Sequence, residues 1–205
     1  MALVATNRKT NFHRRLSFQY IKFRCSSISQ TIASNLAKLV AMLRIGLISD
    51  THGWLDEKVL HHFKNCDEIW HAGDFGSMQV LEQLKALKPL RGVWGNIDDL
   101  LIRHTVPEHL VFDAHVMNVA MVHIGGYPGR YPKGVKAWLV EKKPQLFICG
   151  HSHIVKAMPD KELGLLHLNP GAAGRQGWHK QRTIMRFVIR DKAVQNLELI
   201  ELGTR

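Results

Sequence analysis

Residues 43–53 read LRIGLISDTHG. A short apolar run bounded by turn-forming residues is typical of a buried β-strand. Asp50 and His52 follow the run two residues apart, so an extended segment would present both side chains on one side. Gly53 then allows the backbone to turn. The stretch therefore predicts a buried strand that ends in two side chains able to bind a metal ion.

The alternation of strands and helices continues along the chain from this point. Helices are predicted over 56–64, 77–87 and 133–141. Strands are predicted over 68–71, 90–94, 111–112, 116–123 and 146–149, and then over 154–158, 165–168, 183–189 and 194–199. Alternating β and α units followed by a strand-rich end favour an α/β or α+β protein. We expect two sheets packed face to face with helices outside.

Polar side chains lie at the ends of five of the predicted strands. The set consists of Asp50, His52, Asp74, Asn96, His123, His151 and His153. A single D-x-H or H-x-H pair is more often a turn or a surface feature, but the carboxyl ends of strands are where α/β proteins form sites. Buried charges and imidazoles need partners, which metal ions supply. Mixed carboxylate, imidazole and amide ligands favour Mn, Fe, Co, Ni or Zn over Mg or Ca.

The positive charge is concentrated at the start of the chain. Eight of the 28 basic residues lie within 1–44, so residues 45–205 hold 20 basic residues against all 17 acidic ones. A nucleic-acid role would depend on the start of the chain alone, and none is expected for the rest. No apolar run approaches the roughly 18 residues of a membrane span. Three scattered cysteines favour a reducing compartment, and we expect the cytoplasm.

Residues 1–41 differ in composition from the rest of the chain. They are rich in Ser, Thr, Asn and Arg, contain no acidic residue, and show no helical or strand period. We expect a basic, non-catalytic and disordered extension, followed by one domain over 42–205. Two origins stay open: an extension upstream of a functional start at Met42, or an organellar transit peptide.

The motifs D-x-H, G-D, G-N-x-D, a single His and G-H-x-H, in this order, resemble the calcineurin-like metallophosphoesterase superfamily. The stretch GLISDTHG at 46–53 resembles its small YfcE-like phosphodiesterase branch, which also contains the retromer scaffold subunit. The resemblance implies a four-layer αββα sandwich of two mixed β-sheets flanked by helices. It also implies hydrolysis of phosphodiesters or activated phosphomonoesters by a hydroxide that bridges two divalent metal ions. A non-catalytic interaction scaffold is the alternative.

The resemblance also implies a role for each motif residue. One metal ion would be bound by Asp50, His52, Asp74 and His153, and the second by Asp74, Asn96, His123 and His151. The expected catalytic residues are Asp74, Asn96, Asp98 and His123, with Asp98 either orienting a histidine or the bridging water, or merely forming a turn. Mn is the expected metal, with Ni, Zn, Fe and Co as alternatives. The expected partner is a small phosphoester, and a homodimer is compatible with the resemblance.

The chain departs from the family pattern at the position after Asn96. Many relatives carry a histidine there that protonates the leaving group, whereas this chain has Ile97. A general acid typically contributes about a hundredfold or more, so poor leaving groups should be affected most. Tyr127 and Arg130 are candidates to compensate, and Arg175 is a candidate for phosphate support.

Overall fold

The computed structural model describes residues 42–205. The expectations for residues 1–41 lie outside the described residues and stay predictions. The strands are β1 (Leu43–Ile48), β2 (Glu68–His71), β3 (Leu90–Gly92), β4 (His109–Ala114), β5 (Met117–Val122), β6 (Leu146–Ile148), β7 (Lys156–Asp160), β8 (Leu165–Asn169), β9 (Gln181–Arg190) and β10 (Ala193–Thr204). The helices are α1 (Glu57–Phe63), α2 (Met78–Leu87), α3 (Leu100–Thr105) and α4 (Val135–Lys142).

These strands form two mixed sheets of five strands each. The first has the order β10-β9-β1-β2-β3, in which β1, β2 and β3 run parallel. The second has the order β4-β5-β6-β8-β7, in which β5, β6 and β8 run parallel. Parallel strands end at the same edge of a sheet, so the loops that follow them meet there. The polar motifs lie in these loops.

The core consists of three apolar layers. Leu47 and Trp70 of the first sheet pack between the sheets with Val119 and Ile148 of the second. A second layer joins the outer face of the first sheet to α1, α2 and α3, and a third joins the outer face of the second sheet to α4, where Leu139 is buried. The arrangement is the expected four-layer αββα sandwich.

Side-chain caps explain where the helices begin. Asp56 accepts from the backbone N–H of Lys58 at the start of α1, and Ser77 accepts from that of Val80 at the start of α2. Helix α3 was not expected from the sequence, and its cap is Asp99. It has only six residues, with Leu100 and Leu101 exposed, so it shows little of the apolar periodicity that marks longer helices.

The remaining differences from the expected elements lie at their ends, and the largest is at β10, which runs to Thr204 rather than ending at 199. Strand β7 covers 156–160 rather than 154–158, and β3 ends at Gly92. Within residues 42–205, every helix falls short of the length and hydropathy needed to cross a membrane.

Candidate metal centre

Two groups of potential metal ligands lie at the carboxyl ends of the strands. In each group, three side chains offer ligand atoms within 4.8 Å of one another. The Asp50 cluster consists of Asp50, His52 and His153, and the Asp74 cluster consists of Asp74, His123 and His151. The structure thus brings together six of the seven residues predicted as metal ligands. His153 belongs to the Asp50 cluster, and His151 belongs to the Asp74 cluster.

Most of these residues have an unusual backbone conformation. Five of them have positive φ angles between 48° and 66°: Asp50, His52, Asp74, His151 and His153. Asp50 and His52 are therefore not in an extended segment, and the assumption that strand alternation places them on one side was wrong. They converge because the chain turns at each residue. Asp, Asn and His tolerate this left-handed region better than most side chains.

Hydrogen bonds between the loops hold these turns. The backbone N–H of Asp50 donates to the carbonyl of Gly73 at 3.0 Å, and that of His52 donates to the carbonyl of Asp74 at 3.1 Å. The N–H of Gly150 donates to the carbonyl of His123 at 3.0 Å within the second sheet, and the N–H of His151 donates to Asp50 Oδ2 at 3.1 Å, which joins the loops of the two sheets. Strained conformations persist where the surrounding structure fixes them, and they are concentrated at functional sites.

The Asp50 cluster brings three potential acceptors together. Asp50 Oδ1 lies 3.2 Å from His153 Nε2 and 4.0 Å from His52 Nε2. The two Nε2 atoms of His52 and His153 are 3.3 Å apart. Asp50 is fully buried, and its Oδ1 has no hydrogen-bond partner among the described residues. A buried carboxylate oxygen without a partner is costly, and a cation between these atoms would satisfy it.

His179 fixes the orientation of His153. A carbonyl can only accept, so His179 Nε2 donates to the carbonyl of Gly174 at 3.0 Å. Burial lowers the pKa of His179, which favours its neutral form and leaves Nδ1 as an acceptor. His153 Nδ1 lies 3.1 Å from that atom and donates to it. The lone pair of His153 therefore lies on Nε2, which faces Asp50.

The Asp74 cluster has a similar support. His123 Nδ1 donates to the carbonyl of Ala72 at 2.7 Å, so its Nε2 faces Asp74 Oδ2 at 3.2 Å. Burial disfavours the charged form of His123, but the carboxylates of Asp74 and Asp50 outweigh it and raise its pKa. Burial likewise opposes ionisation of Asp74, but the neighbouring His123 imidazole and the hydrogen bond from the Ile97 N–H outweigh it and lower its pKa. A divalent cation between these two side chains would bind both ligand atoms.

The two clusters adjoin each other. Asp74 Oδ2 lies 3.7 Å from His52 Nε2, in addition to its contact with His123. Asp50 Oδ1 lies 3.9 Å from His123 Nε2. The Asp74 carboxylate therefore faces ligand atoms of both clusters.

Asn96 lies in the loop after β3 that contacts Asp74. It is exposed, while its neighbour Gly95 is buried so close to Asp74 that a Cβ at this position would overlap the carboxylate. Ile97 donates its N–H to Asp74 Oδ1 at 3.1 Å and leaves its side chain 46% exposed. The backbone around Asn96 thus holds Asp74 in place.

Asp98 is buried and binds the backbone of two loops. Its carboxylate accepts from the N–H groups of Phe75 at 3.2 Å, Gly76 at 2.7 Å and Gly95 at 2.8 Å. These contacts join the loop after β2 to the loop after β3. The expected contact with a histidine is not among its hydrogen bonds.

Asn169 supports the loop that carries His151 and His153. Its amide donates to the carbonyl of Gly150 at 2.8 Å and to Ser152 Oγ at 3.2 Å. Arg175, expected as a candidate for phosphate support, lies with its guanidinium 4.0 Å from the centre of the Trp54 ring. His179 was not expected from the sequence, because nothing in the local pattern around it signals a link to His153.

The chain belongs to the calcineurin-like phosphoesterase superfamily, whose domain model matches residues 43–192. A protein of Methanothermobacter thermautotrophicus named "Probable metallophosphoesterase" is 31% identical over 138 residues, which cover 62% of this chain and 76% of that protein. A protein of Methanocaldococcus jannaschii with the same description is 31% identical over 166 residues, covering 77% and 81%. The resemblance inferred from the motifs is confirmed.

Solved structures show the same fold. An uncharacterised protein of Streptococcus pneumoniae, described as a phosphoesterase from its sequence, aligns with a TM-score of 0.60 at 22% identity, covering 78% of this chain and 90% of that one. Vps29 from Entamoeba histolytica, solved in complex with Zn²⁺, aligns with a TM-score of 0.61 at 16% identity, covering 78% and 99%. Both comparisons agree with the αββα sandwich.

Proposed function

We propose that this chain is a dinuclear metal-dependent phosphoesterase that hydrolyses phosphodiesters or activated phosphomonoesters. The observation that carries the proposal is the pair of buried ligand atoms, Asp50 Oδ1 and His123 Nε2, which have no hydrogen-bond partner among the described residues. They lie 3.9 Å apart, in adjoining clusters of carboxylates and imidazoles. Family membership supports phosphoester chemistry at this site.

The donor set fits two divalent ions. Asp50, His52, Asp74 and His153 would hold one ion, and Asp74, Asn96, His123 and His151 would hold the other. When bound, such ions acidify water and stabilise the charge that develops on a phosphoryl group. Oxygen and imidazole donors together favour Mn, with Ni, Zn, Fe and Co as alternatives.

The side chains would perform distinct tasks in this reaction. Asp74 supplies the negative charge that both ions share, and its carboxylate is held by the N–H of Ile97. His123 presents Nε2 because Ala72 fixes its Nδ1 proton. Asp98 acts as a positioning residue that joins the two loops around Asp74. Cys149 is unsuited to act as a nucleophile, because burial raises the pKa of its thiol to about 12.

The same features favour an enzyme over an interaction scaffold. A scaffold has no need of a buried carboxylate oxygen without a partner, and a substitution at Asp50 would relieve that cost. We further propose a small phosphoester substrate in the cytoplasm rather than nucleic acid. The near balance of charge over 45–205 and the free, buried thiols of Cys66 and Cys149 support this choice. The homodimer stays a prediction.

A hydrolysis screen tests the proposal. The full chain is loaded with Mn, Ni, Zn or Mg and assayed on phosphomonoesters, phosphodiesters and cyclic nucleotides. Asp74→Asn should abolish hydrolysis and lower metal content, because it removes the charge that both ions share. Asp113→Asn, at an exposed position of β4, is the matched control and should behave like the wild type. Full metal content with full activity in Asp74→Asn would exclude the dinuclear assignment.

A further inference from the structure

Four large apolar side chains are exposed to solvent beside the candidate metal centre. They form what we call the apolar rim: Ile97, Ile124, Ile154 and Trp178, exposed by 46, 42, 58 and 100%. Each directly follows or precedes in the chain a residue of the site: Asn96, His123, His153 and His179. The rim thus comes from four different loops that serve one centre.

Hydrogen bonds at the candidate metal centre bring together the loops that carry the rim. Ile97 is tied to Asp74 through its own backbone N–H at 3.1 Å. The 3.1 Å contact between His153 and His179 brings the neighbours Ile154 and Trp178 into the same region. The N–H of Gly150 bonds the carbonyl of His123 at 3.0 Å, which joins the loop of Ile124 to the loop of Ile154.

A single exposed apolar side chain is ordinary, whereas a group around a polar centre is typical of a ligand site. Ligand pockets combine apolar walls with a few convergent polar groups, as found here. Two of the basic side chains nearby already have partners: Arg103 donates to the carbonyls of Asp98 and Asn96, and Arg175 lies over Trp54.

We propose that the substrate is a phosphoester with an apolar organic group, alkyl or aryl, which packs on the rim. The inference rests on the proposed function, in that the phosphate lies at the two clusters. The rim then sets specificity: Trp178 and Ile154 contact the organic group on one side, and Ile97 and Ile124 contact it on the other.

Binding of n-alkylphosphonates, which are not hydrolysed, tests the inference. The full chain loaded with Mn is titrated by calorimetry with phosphonates from methyl to octyl. We expect the Kd to fall about twofold per added methylene, since full burial of a methylene corresponds to about fourfold. Hydrolysis of a nitrophenyl phosphoester is measured on the same preparation, so that a failure of catalysis is seen separately from a failure of the rim.

Two variants test whether the rim is responsible. Trp178→Gln and Ile154→Asn should flatten the dependence of Kd on chain length, and both positions are exposed enough to leave folding intact. Val140→Asn is the control, because Val140 is 52% exposed on α4, away from the site, and should keep the wild-type slope.

Each outcome supports or overturns the inference. A slope that is present in the wild type and reduced by Trp178→Gln supports it, even if no nitrophenyl ester is hydrolysed, in which case only the proposed function fails. A flat wild-type series, or a slope that the rim variants leave unchanged, overturns it. A third outcome also overturns the inference. If the phosphonate series is flat and the wild type self-associates in a way that Trp178→Gln abolishes, the rim binds a second copy of the chain.

Discussion

The Nδ1 atoms of His153 and His179 lie 3.1 Å apart, and the second histidine is itself anchored to the carbonyl of Gly174 at 3.0 Å. These two contacts allow only one position for the N–H proton on each imidazole ring. His179 accepts on Nδ1 because it donates on Nε2, and His153 therefore presents a lone pair to the Asp50 cluster. Partners of this kind orient metal-binding histidines and raise their basicity.

Removing His179 should therefore weaken one metal site selectively. We expect His179→Ala to lower the metal affinity of the Asp50 cluster by about 10- to 100-fold, because His153 loses the acceptor that fixes its ring. The Asp74 cluster should keep its ion. The measurement is metal content per chain by elemental analysis across a series of chelator concentrations.

An exposed histidine provides the control for this variant. His115→Ala, in the turn between β4 and β5, should release metal as the wild type does. A release curve of His179→Ala that coincides with the wild type would show that His153 needs no such support.

We expect Asp98 to stabilise the fold through its backbone contacts rather than to take part directly in the reaction. Asparagine has one carbonyl oxygen in place of a carboxylate, so Asp98→Asn would turn an amide group toward N–H donors of Phe75, Gly76 or Gly95. We expect the free energy of unfolding to fall by about 2 to 3 kcal/mol, measured by urea denaturation. Asp99→Asn keeps the cap of α3 and should cost little. Unchanged stability with lost activity in Asp98→Asn would instead indicate a direct role in the reaction.

The sequence predicted the ligand clusters because their signals are local. A strand followed by Asp50 and His52, or by His151 and His153, is visible within a few residues, and parallel strands bring such ends together. The contacts of His179 and Asp98 depend on how loops pack, at separations of 26 residues for His153–His179 and 23 residues for Asp98–Phe75. No periodic pattern carries that information.

The backbone conformation of Asp50 and His52 could not be predicted from the sequence either. The motif D-x-H is compatible with an extended segment, and only the hydrogen bonds from Asp50 and His52 to the loop after β2 show why both residues adopt positive φ. Tertiary contacts override the local preference there.

Buried histidines should make stability dependent on pH. Burial lowers the pKa of His167 from 6.5 to about 4, whereas the unfolded chain takes up a proton near pH 6.5. Its contribution to stability is therefore complete above about pH 6.5 and is lost as pH falls toward 4. From pH 7 to pH 5 this residue should account for a loss of about 2 kcal/mol in the free energy of unfolding.

Replacing His167 should remove that part of the dependence. His167→Phe eliminates the titrating ring, together with an Nδ1 atom that has no partner among the described residues. Urea denaturation at pH 7, 6 and 5 should show a shallower slope, and His71, whose pKa burial lowers to about 3, should contribute to what remains. An unchanged slope would mean that the pKa of His167 is the same in the folded and unfolded states.

In the proposed reaction, Ile97 should influence how the leaving group departs. An isoleucine has no proton to give, so the ester oxygen must leave as an anion or take a proton from elsewhere. Rates of the wild type should then fall steeply as the leaving-group pKa rises, with nitrophenyl esters far ahead of alkyl esters. Steady-state kcat/KM across a graded series of esters measures this slope, and a flat series would show that another group protonates the leaving oxygen.

Installing an imidazole at this position should reduce the slope. In Ile97→His the bond to Asp74 is retained because it comes from the backbone N–H, and the half-open position accommodates the ring. We expect a gain approaching about a hundredfold for alkyl esters and little for nitrophenyl esters. Ile97→Gln, which is polar but not a proton donor of this kind, separates acid catalysis from a simple increase in polarity. If Ile97→Gln gave the same gain, the gain would come from polarity rather than from acid catalysis. If Ile97→His slowed every ester alike, Ile97 would serve only as an apolar wall of the site.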